Sequence, residues 1–214
     1  MAKKLDEPQE RGDFFKSLGT LFAGFVANRI EDAVTGLGPK LLRPPGALDE
    51  LEFLTKCTRC DKCMRACPEN AILMAPASAG LALKTPYIDP RSVPCFLCTT
   101  LPCVAACEDE ALVWPRLKRA DGQEIEGPKA TRMGTARVKP SQCVTWGSLD
   151  REARACRICV DRCPYPEEAI RIVTFEGETI GHPVVYADAC TGCGLCVFAC
   201  PAEPSAIVVD PRRD

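Results

Sequence analysis

The stretches CTRCDKCMRACP at residues 57–68 and CTGCGLCVFACP at residues 190–201 decide the fold of this chain. Both place four cysteines in the spacing C-x2-C-x2-C-x3-C and put a proline directly after the fourth. Ligands of [4Fe–4S] clusters follow this spacing, with the fourth cysteine bound to a neighbouring cluster. Three cysteines at steps of three surround one face of a cluster, while the fourth points the opposite way from a short helix. Each stretch therefore predicts one cluster of a pair. The two clusters of a pair exchange a ligand, because the fourth cysteine of each run binds the other cluster.

Two further cysteine runs keep the same order with altered gaps. The run CFLCTTLPCVAAC at residues 95–107 has a middle gap two residues longer, and Glu108 stands where proline follows the regular runs. In the remaining run, twelve residues separate Cys143 from Cys156, which begins CRICVDRCP. Both runs still offer four cysteines in order. We therefore expect four [4Fe–4S] clusters as the cofactors of the chain.

The crossover rule assigns the sixteen cysteines to four groups of iron ligands. Group one is Cys57, Cys60, Cys63 and Cys107; group two is Cys67, Cys95, Cys98 and Cys103; group three is Cys143, Cys156, Cys159 and Cys200; group four is Cys163, Cys190, Cys193 and Cys196. The alternative is nested pairing, of the first run with the last and of the two middle runs with each other. The separations are nearly equal, 28 positions from Cys67 to Cys95 and 27 from Cys163 to Cys190, which favours tandem pairing.

The composition argues against the commoner uses of cysteine. The 214 residues include 16 Cys and 1 His. Disulfide frameworks belong to secreted chains, and no convincing cleaved secretion signal is found. Zinc knuckles use C-x2-C pairs separated by longer loops, and the single His182 leaves little for mixed Cys/His sites. The spacing therefore favours iron–sulfur clusters.

The charge of the chain limits its partners. The formal net charge is −2 at pH 7 with every cysteine neutral. Each cluster with its four thiolates adds roughly −2, which brings the loaded chain to about −10. A negative surface suits partner subunits with basic docking patches and argues against nucleic acid.

The predicted fold class is α+β, with two tandem bacterial-ferredoxin-like domains that hold two clusters each. We assign these domains to residues 51–120 and 141–214, and a linker or hairpin to the charged, Gly- and Pro-rich residues 121–140. Short strands are expected beside the cysteine runs. They fall at residues 71–73, 87–88, 111–113, 169–173, 184–186 and 206–209.

Residues 1–50 contain no cysteine and are predicted to form an amphipathic helix and linker that docks on a partner or a membrane. The apolar residues at helical spacing are Phe14, Leu18, Leu21, Phe22 and Phe25. No apolar stretch reaches the roughly 20 residues of a transmembrane helix. The segment RGDFFK, in which Gly12 follows Arg11, resembles a degenerate twin-arginine export signal. We expect a cytoplasmic, membrane-associated protein, with periplasmic export as the alternative.

Motifs of substrate chemistry are missing from the sequence. It contains no G-x-G-x-x-G fingerprint, no P-loop and no H-E-x-x-H. His182, in Gly-His-Pro, is expected in a loop, and Arg132 and Met133 are expected beside group three. No catalytic residue is predicted, so the clusters themselves point to electron transfer.

The order of the runs, the segment TRMG before Cys143 and the stretch VPCFLCTTLPCVAAC resemble the NapG/MauM ferredoxin-type proteins over residues 51–210. The resemblance implies four clusters that carry electrons between a quinol-oxidising membrane partner and a terminal redox enzyme. We therefore expect an electron-transfer subunit of a multi-subunit oxidoreductase. A soluble polyferredoxin carrier and an assembly or maturation factor for a redox enzyme are the alternatives.

Overall fold

A computed structural model describes residues 40–119, 122–147 and 152–212. These residues belong to a single unit of the chain. The amphipathic helix predicted around residues 14–25 lies outside the described residues. All sixteen cysteines lie inside them, and every one is a free thiol.

The α-helices are short. The first precedes the first cysteine run, and the others lie within the runs. In the described part of the chain the helices are α1 (Glu50–Lys56), α2 (Lys62–Ala66), α3 (Pro102–Ala105), α4 (Ile158–Asp161) and α5 (Leu195–Ala199). Helices α2 to α5 each contain the third cysteine of a run, and the fourth cysteine lies within two residues of the helix end. Helices of this length are unstable alone, so contacts with the rest of the fold must hold them.

Four antiparallel strand pairs frame these helices. They are β1 (Ile72–Met74) with β2 (Pro86–Ile88), β3 (Arg116–Lys118) with β4 (Glu124–Glu126), β5 (Gly134–Val138) with β8 (Ile207–Pro211), and β6 (Ile170–Val173) with β7 (His182–Val185). Short 3₁₀ helices lie at Ala77–Ala82, Gly127–Ala130 and Pro140–Gln142. The mixed helix and strand content agrees with the expected α+β class.

The strands predicted at 71–73, 87–88, 169–173, 184–186 and 206–209 overlap β1, β2, β6, β7 and β8. The strand predicted at 111–113 is wrong, because Leu112 alone bridges Ala47. Pro44 and Pro45 lie just before that bridge and have no N–H to extend a ladder. The first half of the unit therefore has a single bridge between Ala47 and Leu112, where the second half has the five-residue β5–β8 pair.

Arg43 ties the segment before α1 to the first half. Its side chain is buried, and its guanidinium donates to the Glu50 carboxylate at 2.9 and 2.5 Å. It also donates to Thr85 Oγ1 at 2.8 Å and to the Pro86 carbonyl at 2.9 Å. Because a buried guanidinium needs such partners, these bonds hold residues 42–50 against β2.

Two apolar cores lie beneath the cysteine groups. Phe53, Leu101 and neighbouring side chains form the first core, and Val160, Ile170 and their neighbours form the second. Cys193 of the second half is buried in the first core, and Val209 packs against both. The two halves thus share packing across their boundary.

Candidate metal centres

Three cavities are each lined by four cysteines, in which neighbours from one cysteine run are joined by a distant cysteine of another run. Group one lines the first of them, group three the second and group four the third. Their empty volumes are similar, about 360, 420 and 370 Å³ with the open mouths included. The similar sizes and four-thiol linings indicate equivalent sites.

The thiols of group two also lie close together. Burial, and then the fields of Cys67 and Cys98, raise the pKa of Cys103 to about 11. Burial, with the fields of Cys103 and Cys98 among the lesser causes, raises the pKa of Cys95 to about 12. The structure therefore places groups one, three and four around cavities, and it places the thiols of group two within electrostatic range of one another.

Burial favours the protonated form of several of these thiols by raising the pKa. It raises the pKa of Cys63 and of Cys159 from 9.0 to about 12, and that of Cys163 to about 11. Burial also raises the pKa of Cys196 well above its usual value. Since iron binds the thiolate, loading each group must release protons.

Left-handed backbone turns shape the cysteine loops. Arg59 and Asp61 in the first loop have φ of 60° and 58°, and Gly192 and Gly194 occupy the same places in the fourth loop with φ of 74° and 84°. Such turns let successive cysteines face one cavity. Residues with a Cβ adopt this conformation at a cost of about 1–2 kcal/mol each, so the first loop carries strain that the fourth avoids.

Space also requires glycine in the fourth loop. A Cβ on Gly192 would lie 2.5 to 2.8 Å from the backbone of Gly134, and a Cβ on Gly194 would overlap the ring of Pro90. The fourth loop is therefore enclosed by β5 on one side and by Pro90, just before the second cysteine run, on the other.

Hydrogen-bond donors surround the sulfur atoms. The backbone N–H of Leu112 donates to Cys107 Sγ at 3.3 Å, and that of Ala206 donates to Cys200 Sγ at 3.4 Å. The N–H of Ala136 donates to Cys190 Sγ at 3.4 Å. Donors of this kind stabilise thiolates and tune cluster potentials, so the backbone suits the predicted ligands.

His182 is a feature that sequence reasoning missed. The loop prediction is wrong, because His182 begins β7 and is only 3% exposed. Its ring stacks on Trp146 with centroids 4.1 Å apart, and Nε2 lies 2.7 Å from Glu178. Nδ1 lies 3.1 Å from the Thr145 hydroxyl, which in turn lies 3.3 Å from Cys143 Sγ. Only its Gly-Pro setting was visible in the sequence, and that setting favours a loop.

Arg132 and Met133 lie elsewhere than expected. The guanidinium of Arg132 is within electrostatic range of Cys190, a member of group four. Met133 is buried in the first core, and its N–H donates to the Thr191 carbonyl at 3.0 Å. The strand β5 that follows them contacts group four through Ala136 and Cys190. Their position in the sequence, shortly before Cys143, had suggested group three.

The chain has clear relatives. A family model described as a 4Fe-4S dicluster domain matches residues 56–111 and 153–203. The methylamine utilization ferredoxin-type protein MauM of Methylorubrum extorquens is 36% identical over 91% of this chain and 83% of its own length. The ferredoxin-type protein NapG of Escherichia coli is 34% identical over 93% of this chain and 83% of its own length.

The chain belongs to the NapG/MauM family of ferredoxin-type proteins. A MauM of Paracoccus denitrificans is 32% identical over 98% of this chain and 89% of its own length. No solved structure matches the chain.

The two dicluster domains and the sixteen cysteines of this NapG/MauM-type protein fit four [4Fe–4S] clusters. Each group offers four thiols, and the cavities lined by groups one, three and four are open to solvent at one side. The family thus supports an iron–sulfur electron-transfer role. Within the described ranges, no helix is long and apolar enough to span a membrane.

Proposed function

We propose that this protein is a relay subunit that passes electrons through four clusters within a multi-subunit oxidoreductase associated with a membrane. The gathering of sixteen cysteines into four groups of four within one unit carries the proposal. When bound to its four cysteines, each cluster would accept one electron and pass it on. The ferredoxin-type names of the relatives MauM and NapG support a role in electron transfer.

The chain's own residues have defined tasks in this proposal. Each group holds one cluster through four thiolates, so its cysteines bind iron after losing their protons. Backbone N–H groups, such as that of Leu112 at Cys107, donate to the sulfurs and stabilise the negative charge of the site. The cores beneath the groups keep the sites at fixed positions, because packed interiors resist displacement.

A partner subunit is proposed to dock where group one reaches the surface. Cys60 is exposed, and the side chains of Lys62, Glu108 and Asp109 around it are also exposed. A cluster held there would lie near solvent, as electron exchange with another protein requires. A quinone-reactive membrane subunit is the partner class that the NapG/MauM resemblance favours.

Redox titration of the reconstituted full-length protein tests the relay. We expect about sixteen iron atoms per chain, from four cubanes, and reversible reduction of every cluster. Clusters that stay inert over the potentials of the purified partners would favour an assembly or maturation factor instead.

Affinity purification from the native cells tests the subunit proposal separately. Co-purification of other redox subunits is expected. Recovery of a loaded monomer without partners would favour a soluble carrier.

A further inference from the structure

The contact between the second and fourth cysteine runs joins the two halves. The backbone N–H of Cys95 donates to the carbonyl of Cys193 at 2.9 Å. Both side chains are buried, and Cys193 packs in the first core. One residue belongs to group two and the other to group four, so these groups meet at the boundary between halves.

Flanking residues reinforce this joint. Arg91 donates to the carbonyls of Val197 and Cys200 at 3.2 and 3.1 Å, and it pairs with Glu203. Pro90 packs so closely on Gly194 that no side chain fits between them. The segment just before the second run is thereby held against the fourth loop and α5, next to the Cys95–Cys193 hydrogen bond.

Within each half, shared helices place the groups side by side. Cys63 of group one lies in α2, and Cys67 of group two caps the same helix. Cys196 of group four lies in α5, and Cys200 of group three caps it. Group one therefore adjoins group two, and group four adjoins group three.

We propose that electrons pass through the groups in the order one, two, four, three, and cross between the halves at the Cys95–Cys193 contact. This order rests on the proposed relay function. It differs from the order in the chain, because the third group in the sequence lies beyond the fourth. Groups one and three are the two ends of the path, where partners would deliver and collect electrons, and Arg91 is a positioning residue at the crossing.

Magnetic interactions between reduced clusters test the order in the full-length, reconstituted protein. EPR would be compared among Cys60→Ala, Cys98→Ala and Cys156→Ala, which each remove a ligand of group one, two or three. We expect the interaction between halves to persist in Cys60→Ala and Cys156→Ala and to be lost in Cys98→Ala. Iron content should remain at about twelve per chain in each variant, from three cubanes.

Loss of the inter-half interaction in Cys156→Ala, with twelve iron atoms retained, would overturn the order, because it would place group three at the joint. Wild-type clusters that do not reduce reversibly would instead refute the relay itself.

A second pair of variants needs no cluster removal. Arg91→Gln should weaken the inter-half interaction at full iron content. Arg116→Gln, which breaks an exposed pair with Glu126 on the β3–β4 hairpin, should leave it unchanged. Equal spectra for the two variants would contradict the role of Arg91.

Discussion

The first and fourth cysteine loops have the same spacing but opposite surroundings. Cys60 in the first loop is exposed, whereas Cys193 at the same place in the fourth is 7% exposed. Arg59 adopts a left-handed turn on the surface, where its exposed guanidinium donates to the Leu81 and Leu83 carbonyls, while Gly192 is enclosed by the backbone of β5. The spacing determines which atoms can bind a cluster, and the neighbouring strands determine which residues can stand between the cysteines.

The two loops should tolerate substitution differently. The residues between the cysteines of the first loop are mostly exposed, so a new side chain there meets mainly water. The fourth loop packs against β5, Pro90 and the first core, so a substitution there should destabilise both halves.

Removal of one cysteine from each loop should show the largest difference. Cys60→Ala should lose only the first cluster and keep about twelve iron atoms, whereas Cys193→Ala should fall to about eight. The additional loss is expected because Cys193 also packs the joint and the core of the first half. Iron and sulfide analysis measures both, and equal iron contents would contradict the comparison.

Substitution between the cysteines should give the next largest difference. Gly192→Ala forces a Cβ against Gly134 in a left-handed turn, and we expect it to destabilise the second half by about 2–5 kcal/mol. Thermal melting monitored through cluster absorbance measures the change. Arg59→Gly is the matched control. It relieves a left-handed turn and removes only exposed hydrogen bonds, such as those to the Leu81 and Leu83 carbonyls, so it should change the melting far less. A similar loss in both variants would show that enclosure by β5 is unimportant.

Alkaline pH should destabilise the iron-free chain. In the folded state burial raises the pKa of Cys63, Cys95 and Cys159 to about 12, while the unfolded thiols titrate near 9.0. Above pH 9 the unfolded chain loses these protons first, so the free energy of unfolding decreases as pH rises from about 9 towards 12. Below pH 9 both states are protonated and the stabilisation is complete.

Urea midpoints of the iron-free chain at pH 8 and pH 10.5 measure this effect. A lower midpoint at pH 10.5 is expected. An unchanged midpoint would mean that the thiols are more solvated than their burial indicates.

Single hydroxyl groups should give the smallest effects. Thr145 contacts the sulfur of Cys143, and Thr191 hydrogen-bonds Cys193. Loss of one such bond, worth about 0.5–1.5 kcal/mol, lowers the potential of a one-electron couple by about 20–60 mV. Thr145→Val should lower the potential of the third cluster alone, and Thr191→Val that of the fourth alone. Potentiometric titration followed by EPR separates them, and a change in the wrong cluster would contradict the grouping.

Much of the site was predictable from the sequence because cluster ligation is local. Three cysteines within seven residues, as in Cys57, Cys60 and Cys63, can only face a common centre, and the helix that follows turns the fourth away. The strands beside the runs were predictable for the same reason, since short apolar stretches such as β1 and β6 favour strands over a few residues. The bridge at Leu112 was not, because it depends on the prolines of a segment far earlier in the chain.

The sequence by itself determined that this protein has four groups of four thiols, since residue type and spacing define a cluster ligand. The tertiary structure alone decided that groups two and four meet, that Gly192 and Gly194 have no room for a side chain, and that His182 is buried beside Trp146. These features depend on packing between segments that are distant in the sequence, such as those of Pro90 and Gly194, and no local pattern encodes which surfaces will touch. The two cysteine loops compared above thus share their chemistry through spacing and differ through what packs against them.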